Sequence, residues 1–199
     1  MDVNAEKIKL RQDLKCRMLT LTPQQRTEKS QKAFHNLINT PQFQDAQVIM
    51  IYLALPHEVD TAPIILHAWQ ENKVVAVPKM SWQQRHMIPV RIHSLETGLT
   101  HDEHNLQSPV AGVPVALEEI ELVIAPGLGF DKNGNRLGRG GAHYDMFFAN
   151  TRLTAARCGL AFEEQIVTSI PAARHDKLVD FLVTDEQVIY CNKNQRGKK

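Results

Sequence analysis

One stretch, residues 122–150, constrains the fold of this chain more than any other. It begins with four apolar residues, Leu122 to Ala125, and a Pro-Gly pair follows, so it predicts a short buried strand. Asp131 to Asn135 is rich in residues that tolerate tight or left-handed backbone and predicts a turn. Tyr144 to Asn150 predicts the first turns of a helix. A strand, a glycine-rich loop and a helix in this order indicate an α/β protein that holds an anion.

The loop between the predicted turn and helix carries the chemistry of this stretch. Its sequence is Arg-Leu-Gly-Arg-Gly-Gly-Ala, residues 136–142. Glycines let backbone N–H groups approach a phosphate closely, and Arg136 and Arg139 add forked donors that suit it. The alternative is a plain turn with solvated arginines, but three glycines within four positions favour phosphate binding. The loop is not a P-loop, and His143 stands where a dinucleotide fingerprint ends in glycine.

Bulk properties exclude several classes of protein. The 199 residues suit one domain, and 43% hydrophobic with 23% charged residues is ordinary for a globular chain. A net charge of +1 gives no case for a nucleic-acid or membrane partner, and no apolar run approaches the roughly 20 residues of a membrane span. Three cysteines without a C-x-x-C pair indicate reduced thiols. We expect a cytoplasmic protein with one domain over residues 1–191 and a disordered, polar and basic tail over residues 192–199.

The rest of the chain alternates predicted helices and strands. Predicted helices cover residues 5–19, 23–39 (after a Thr22 cap) and 62–71 (after a Thr61 cap). Predicted strands cover residues 48–53, 73–78, 86–93, 156–160, 182–184 and 188–190. Strand, helix and strand in succession predict a right-handed parallel crossover, and the alternation as a whole predicts an α/β fold.

Candidate ligand-binding side chains follow the first predicted strand. Glu58 and Asp60 lie near its carboxyl end, where ligands of open α/β sheets bind. The alternative is that Asp60 or Thr61 only caps the next helix, and for Thr61 the sequence favours this interpretation. On the first helix Lys7, Arg11 and Lys15 recur every four residues, which by itself favours a solvated basic face.

Two further carboxylates, Asp145 and Asp176, are candidates for magnesium, which prefers oxygen ligands and is usually shared with phosphates. The alternatives are a helix-dipole carboxylate for Asp145 and an ordinary loop residue for Asp176. The run of possible ligands at residues 101–104 lacks the spacing of zinc motifs and favours a solvated loop.

The central stretch resembles the 5-formyltetrahydrofolate cyclo-ligase family, whose signature runs P-x-x-x-F-D-x-x-G-x-R-L-G-x-G-x-G-Y-Y-D-R. The matching residues are Pro126, Phe130, Asp131, Gly134, Arg136, Leu137, Gly138, Gly140, Tyr144 and Asp145. The chain departs from the signature at Ala142 (usually Gly), His143 (usually aromatic) and Met146 (often basic). The closing run from residue 159 to 180 is also similar, and the resemblance is weakest from Ser81 to Glu121, where Ser108 replaces a glutamate of the family.

The resemblance implies a three-layer α/β single domain with a mostly parallel central sheet. It implies an enzyme that uses ATP and Mg²⁺ to phosphorylate the formyl oxygen of 5-formyltetrahydrofolate and to close the ring to 5,10-methenyltetrahydrofolate, releasing ADP and phosphate. Partners are then small molecules, a reduced folate and ATP, for a monomer.

Site residues follow from the same resemblance. The implied ATP contacts are Lys7, Arg11, Arg136, Leu137, Gly138, Arg139, Gly140, Gly141, Ala142, His143 and Tyr144. The implied folate contacts are Leu55, Glu58, Asp60, Arg139, Gly140, Gly141, Ala142 and His143, with Glu58 and Asp60 both candidates for the pterin. Arg136, Arg139 and Tyr144 are the implied catalytic residues, and Asp145 and Asp176 the implied magnesium ligands.

Two other functions stay open. The altered loop and the missing glutamate favour a non-catalytic relative that binds nucleotide or folate, while retention of both aspartates argues against it. The basic tail is a weak signal for an RNA-associated module. If the backbone at Ala142 has positive φ, its methyl group costs about 1 kcal/mol. We expect the changes at Ala142 and His143 to tune affinity or the pH response without abolishing activity.

Overall fold

The computed structural model describes residues 2–81, 86–102 and 106–191. The helices are α1 (Val3–Leu19), α2 (Pro23–Ile38), α3 (Pro41–Asp45), α4 (Ala62–Gln70) and α5 (His143–Phe148). The strands are β1 (Val48–Ile51), β2 (Val74–Ser81), β3 (His86–Arg91), β4 (Leu99–His101), β5 (Gln107–Pro109), β6 (Leu122–Ala125), β7 (Gly129–Asp131), β8 (Arg136–Leu137), β9 (Ala156–Leu160), β10 (Ile166–Val167), β11 (Phe181–Val183) and β12 (Val188–Tyr190). The predicted tail, residues 192–199, lies outside the described residues, as do residues 103 and 104 of the run of possible metal ligands at residues 101–104.

A seven-stranded sheet in the order β12-β11-β9-β6-β1-β2-β3 organises the chain. The five inner strands are parallel, and both edge strands pair antiparallel to their neighbours. The predicted α/β fold with a mostly parallel sheet is confirmed. The strand predicted at residues 86–93 exists, but it pairs antiparallel with β2, because a short connection cannot return the chain for a parallel pairing.

Alternate side chains of the inner strands build two cores, one on each face of the sheet. On one face Ile49 and Ile124 pack with Leu37 of α2 and Ile65 of α4. On the other face Val123 and its neighbours pack with Phe147 and Phe148 of α5. The sheet is therefore buried on both sides, which explains the continuous apolar runs of its strands and gives the three predicted layers.

Helix starts follow local capping chemistry, with one correction. At α2 the Thr22 hydroxyl accepts from the Gln25 N–H (3.2 Å) and the Gln25 side chain accepts from the Thr22 N–H (2.9 Å), a capping box. Thr61 is the N-cap residue of α4, as predicted, but its side chain makes no capping hydrogen bond. The Thr61 hydroxyl donates to the Tyr52 carbonyl (2.8 Å), and the Asp60 carboxylate accepts from the Ala62 N–H (3.0 Å) instead.

A small sheet, β10-β7-β8, holds the glycine-rich loop against the main sheet. The predicted turn joins β7 to β8, and its Asp131 carboxylate is fully buried. This carboxylate accepts from the N–H groups of Asn133, Asn135 and Ile170 at 2.9–3.1 Å. Gly134 has φ +89°, and a Cβ there would lie 2.5 Å from the Val179 carbonyl oxygen, so only glycine fits. The turn therefore fixes the start of the loop.

In the described part of the chain, no helix is long and apolar enough to span a membrane.

Candidate active site

A cleft of about 720 Å³ lies beyond the carboxyl ends of β1, β2 and β6. This edge of the sheet is where open α/β sheets bind ligands. The glycine-rich loop, α1, the segment after β1 and residues 175–176 line the cleft. Every residue that the sequence predicted for the site lines this cleft except Asp60. The fold thus gathers side chains from opposite ends of the chain at one cavity.

Glu58 and Asp60, which the sequence could not separate, have different places. Glu58 lines the cleft, and its side chain is 9% exposed. Asp60 does not line the cleft, and its carboxylate is bound to the start of α4 as described above. Leu55, the other predicted residue of this segment, lines the cleft and donates its N–H to Glu58 Oε2 at 3.0 Å.

The glycine-rich loop is built with two left-handed positions. Gly140 has φ +115° and Ala142 has φ +55°. A Cβ at Gly141 would lie 2.5 Å from the His143 Nδ1, so the absence of a side chain leaves room for the imidazole. The non-glycine residue at Ala142 carries the strain that the sequence made conditional on a positive φ.

Arg136 and Asp145 form a buried ion pair at the base of the loop. Arg136 Nη2 lies 3.0 Å from Asp145 Oδ2, and the side chains are 4% and 13% exposed. Asp145 Oδ1 accepts from the Lys177 N–H at 3.1 Å, which ties α5 to the closing segment of the chain. Arg136 Nε is buried and has no hydrogen-bond partner among the described residues. It is therefore an unused donor on a residue that lines the cleft.

Lys7 and Arg11 reach the cleft from α1. Lys7 Nζ lies 2.5 Å from Asp176 Oδ2, with side chains 9% and 15% exposed, and Arg11 Nε donates to the Gly138 carbonyl at 2.9 Å. Lys15, one turn further along, is exposed. Of the basic stripe that the sequence favoured as a solvated face, Lys15 is exposed, Arg11 is half-buried and Lys7 is buried.

Tyr144 is a lining residue of the cleft. Its hydroxyl is buried and has no hydrogen-bond partner among the described residues. Burial raises the pKa of Tyr144 well above its usual value, so the group stays a donor at neutral pH. Arg136 lies over its ring, 5.2 Å from the centroid.

Arg139 crosses from the loop to the segment after β1. Its Nη2 lies 2.8 Å from Glu58 Oε1 and 2.7 Å from His57 Nε2. The Arg139 side chain is 45% exposed, so this contact lies at the solvent side of the cleft.

Asp145 and Asp176 supply part of the oxygen ligands that a magnesium ion needs. Among the described residues there is no group of three or more His, Cys, Asp or Glu that could hold a metal alone. Asp145 and Asp176 both line the cleft beside the phosphate-type loop and offer hard oxygen donors. They therefore fit an ion shared with nucleotide phosphates, and do not fit an all-protein metal cage.

Sequence reasoning missed part of the lining of the cleft. The missed residues are Asn4, Tyr52, Leu53, Pro78, Met80, Leu106, Gln107, Pro126, Gly127 and His175. Most are apolar or neutral and carry no motif. The only signal for Leu53 and Met80 was their position near the ends of the predicted first and second strands. Ser108, the departure from the family pattern, is buried in β5 and does not line the cleft.

Comparison with known proteins gives consistent relatives. The model of the 5-formyltetrahydrofolate cyclo-ligase family matches residues 3–185. The chain is 33% identical over 194 residues to the 5-formyltetrahydrofolate cyclo-ligase of Mus musculus, covering 92% of this chain and 96% of the relative. It is 27% identical over 176 residues to that of Escherichia coli K12, covering 86% and 96%. The solved 5,10-methenyltetrahydrofolate synthetase of Aquifex aeolicus superposes with a TM-score of 0.81 at 27% identity, covering 97% and 95%.

Proposed function

The chain belongs to the 5-formyltetrahydrofolate cyclo-ligase family, and from that premise we propose that its cleft converts 5-formyltetrahydrofolate to 5,10-methenyltetrahydrofolate with ATP as co-substrate. The observation that carries the proposal is the convergence on one cleft of a glycine-rich loop, four basic side chains (Lys7, Arg11, Arg136 and Arg139) and two aspartates. The cleft volume of about 720 Å³ suits small-molecule ligands.

The proposed reaction has two steps. The γ-phosphoryl group of ATP passes to the formyl oxygen of the substrate, so that a P–O bond forms and ADP leaves. N10 of the folate then attacks the activated formyl carbon and loses its proton. The C–O bond breaks, its electron pair leaves with inorganic phosphate, and the ring closes.

The protein contributes positioning and charge, because phosphoryl transfer needs little covalent help from the enzyme. Lys7, Arg136 and Arg139 neutralise charge on the transferred phosphoryl group. Arg136 supplies its unpartnered Nε as a donor. Arg11 acts on the loop, since its guanidinium bonds to the Gly138 carbonyl.

Tyr144 donates its hydroxyl to the formyl group and orients it. Two observations support this role: the hydroxyl lacks a partner among the described residues, and burial keeps it protonated. A buried polar group without a partner costs stability, and a ligand in the cleft removes that cost.

Asp145 and Asp176 would hold Mg²⁺ together with the phosphates. When bound, the ion would neutralise part of the phosphate charge. In the protein alone these carboxylates bind Arg136 and Lys7, so the same carboxylates also hold the basic side chains in the cleft.

A spectrophotometric assay tests the proposal. Purified protein is mixed with 5-formyltetrahydrofolate, ATP and magnesium, and the near-ultraviolet absorbance of 5,10-methenyltetrahydrofolate is followed. We expect ATP-dependent growth of that band, lost in Arg136→Ala. The matched control is Arg152→Ala, which removes an exposed arginine paired with Glu118 outside the cleft.

A flat trace together with tight ATP or folate binding would contradict the proposal. It would favour the non-catalytic relative, for which the strained Ala142 of the altered loop is the supporting observation. A cytoplasmic location and a monomeric state stay predictions, and sedimentation of the purified protein tests the latter.

A further inference from the structure

His57 contacts Arg139 but is not one of the residues that line the cleft. Its Nε2 is 2.7 Å from Arg139 Nη2. Arginine can only donate hydrogen bonds, so His57 Nε2 accepts, and the imidazole is neutral with its proton on Nδ1. A protonated imidazole would lose this acceptor and place a second cation against the guanidinium.

The charged groups around His57 favour the neutral ring. Arg139 comes from the glycine-rich loop, Arg26 from α2 and Lys15 from α1, and the carboxylate of Glu58 lies next to His57 in the chain. Burial, followed by the charge of Arg139, lowers the pKa of His57, while Glu58 raises it. The histidine is therefore an acceptor at neutral pH and becomes a cation only in more acidic solution.

Glu58 completes the arrangement from the same segment. Its Oε1 accepts from Arg139 Nη2 at 2.8 Å, and its Oε2 is held by the Leu55 N–H at 3.0 Å. Both contacts of Arg139 with described residues use Nη2, which leaves Nε and Nη1 to donate to an anionic ligand.

We propose that His57 is a positioning residue for Arg139: as a neutral acceptor it holds the guanidinium, together with Glu58, in place for the anionic ligands of the cleft. The Arg139 side chain is 45% exposed and leaves the loop next to Gly140, so without these acceptors it would sample many rotamers. Ordering it before the ligand arrives lowers the entropic cost of binding. This inference rests on the proposed function, which supplies the identity of the anionic ligands.

The kinetic test uses Arg139→Gln to find which KM, for ATP or for the folate, depends on Arg139. We expect His57→Leu to raise that same KM about three- to tenfold, with kcat within about twofold. In the Arg139→Gln background His57→Leu should have no further effect. An equal effect of His57→Leu in both backgrounds would overturn the proposal, because a merely structural role would not depend on Arg139.

The pH profile supplies the conservative variant. Between pH 5.5 and 8.5 the wild-type KM should rise as the pH falls through the lowered pKa of His57. His57→Gln keeps an acceptor that does not titrate, so its KM should stay near the neutral wild-type value throughout. A His57→Gln enzyme that keeps the full wild-type pH dependence would contradict the proposal and would assign that dependence to the substrates.

A measurement without turnover separates this inference from the proposed function. Nuclear magnetic resonance follows the titration of the His57 ring in the wild type and in Arg139→Gln. We expect the pKa of His57 to rise in the variant because a neighbouring cation is removed. An unchanged pKa would overturn the inference even if the enzyme is active, and an inactive wild type with the expected shift would refute only the proposed reaction.

Discussion

The cleft contains two kinds of arginine–carboxylate pair that differ in burial. The buried pair, Arg136–Asp145, has side chains 4% and 13% exposed, while in the outer pair, Arg139–Glu58, the arginine is 45% exposed. The two arginines are three residues apart in one loop, and their distances to the carboxylates are 3.0 and 2.8 Å. The burial of the arginine separates them, since Glu58 is 9% exposed and is as buried as Asp145. Removing the partner of a buried charge lowers the stability of the protein strongly. An exposed charge can exchange its partner for water or ligand.

The largest expected effect contrasts the two pairs through stability. Asp145→Asn leaves Arg136 buried without a counter-charge, so the free energy of unfolding should fall by about 3 kcal/mol. The matched change, Glu58→Gln, leaves Arg139 open to solvent and should cost under about 1 kcal/mol. Chemical denaturation measures both. Equal losses would mean that burial does not distinguish the two pairs.

The next contrast lies on one face of α1. Lys7 is buried against Asp176, and Lys15 is exposed. Lys7→Ala removes a charge-assisted contact in the cleft and should raise the KM for ATP about tenfold or more. Lys15→Ala should leave it unchanged within about twofold. Steady-state kinetics measure the KM for ATP of both variants. A comparable rise in KM for both would favour a general electrostatic effect.

Two tyrosines of the cleft differ in the hydrogen bonding of their buried hydroxyl groups. The Tyr52 hydroxyl donates to the Val59 carbonyl at 3.2 Å, whereas the Tyr144 hydroxyl has no partner in the described part of the chain. Tyr52→Phe should lose about 1 kcal/mol of stability. Tyr144→Phe should keep or gain stability but lower kcat about tenfold, because only the ligand uses that hydroxyl. Loss of stability in Tyr144→Phe without loss of kcat would reject its proposed role.

The smallest effect concerns the loop that joins the two pairs. Ala142 has φ +55°, so Ala142→Gly should stabilise the protein by up to about 1 kcal/mol. Ala149, the C-cap residue of α5, has φ −77°, and Ala149→Gly should destabilise by about 0.4–1 kcal/mol because glycine gives the unfolded chain more freedom. Thermal unfolding of both variants checks the signs. Ala142→Gly should not change activity from absent to robust, because we expect the loop changes to tune affinity or the pH response only.

Several parts of the fold were predictable because their signals are local. The strand at residues 122–125 shows in the sequence as a continuous apolar run, and the turn at Asp131 and the capped start of α2 depend on hydrogen bonds within about four residues. The glycine-rich loop could also be recognised as part of an anion site from its own residues. Local propensity failed at Thr61, where the Tyr52 carbonyl competes for the hydroxyl and Asp60 takes over the capping bond.

The sequence by itself determined the α/β class, the position of the loop and the family to which its motif points. Only the tertiary structure decided which cation contacts which carboxylate. Lys7 Nζ lies 2.5 Å from Asp176 Oδ2, although the two residues are 169 positions apart in the sequence. It also decided that Glu58 and not Asp60 lines the cleft, that β3 is antiparallel, and that His57 contacts Arg139. The physical reason is that capping and periodicity are set within a few residues, whereas these pairings depend on how the whole sheet brings its strand ends together.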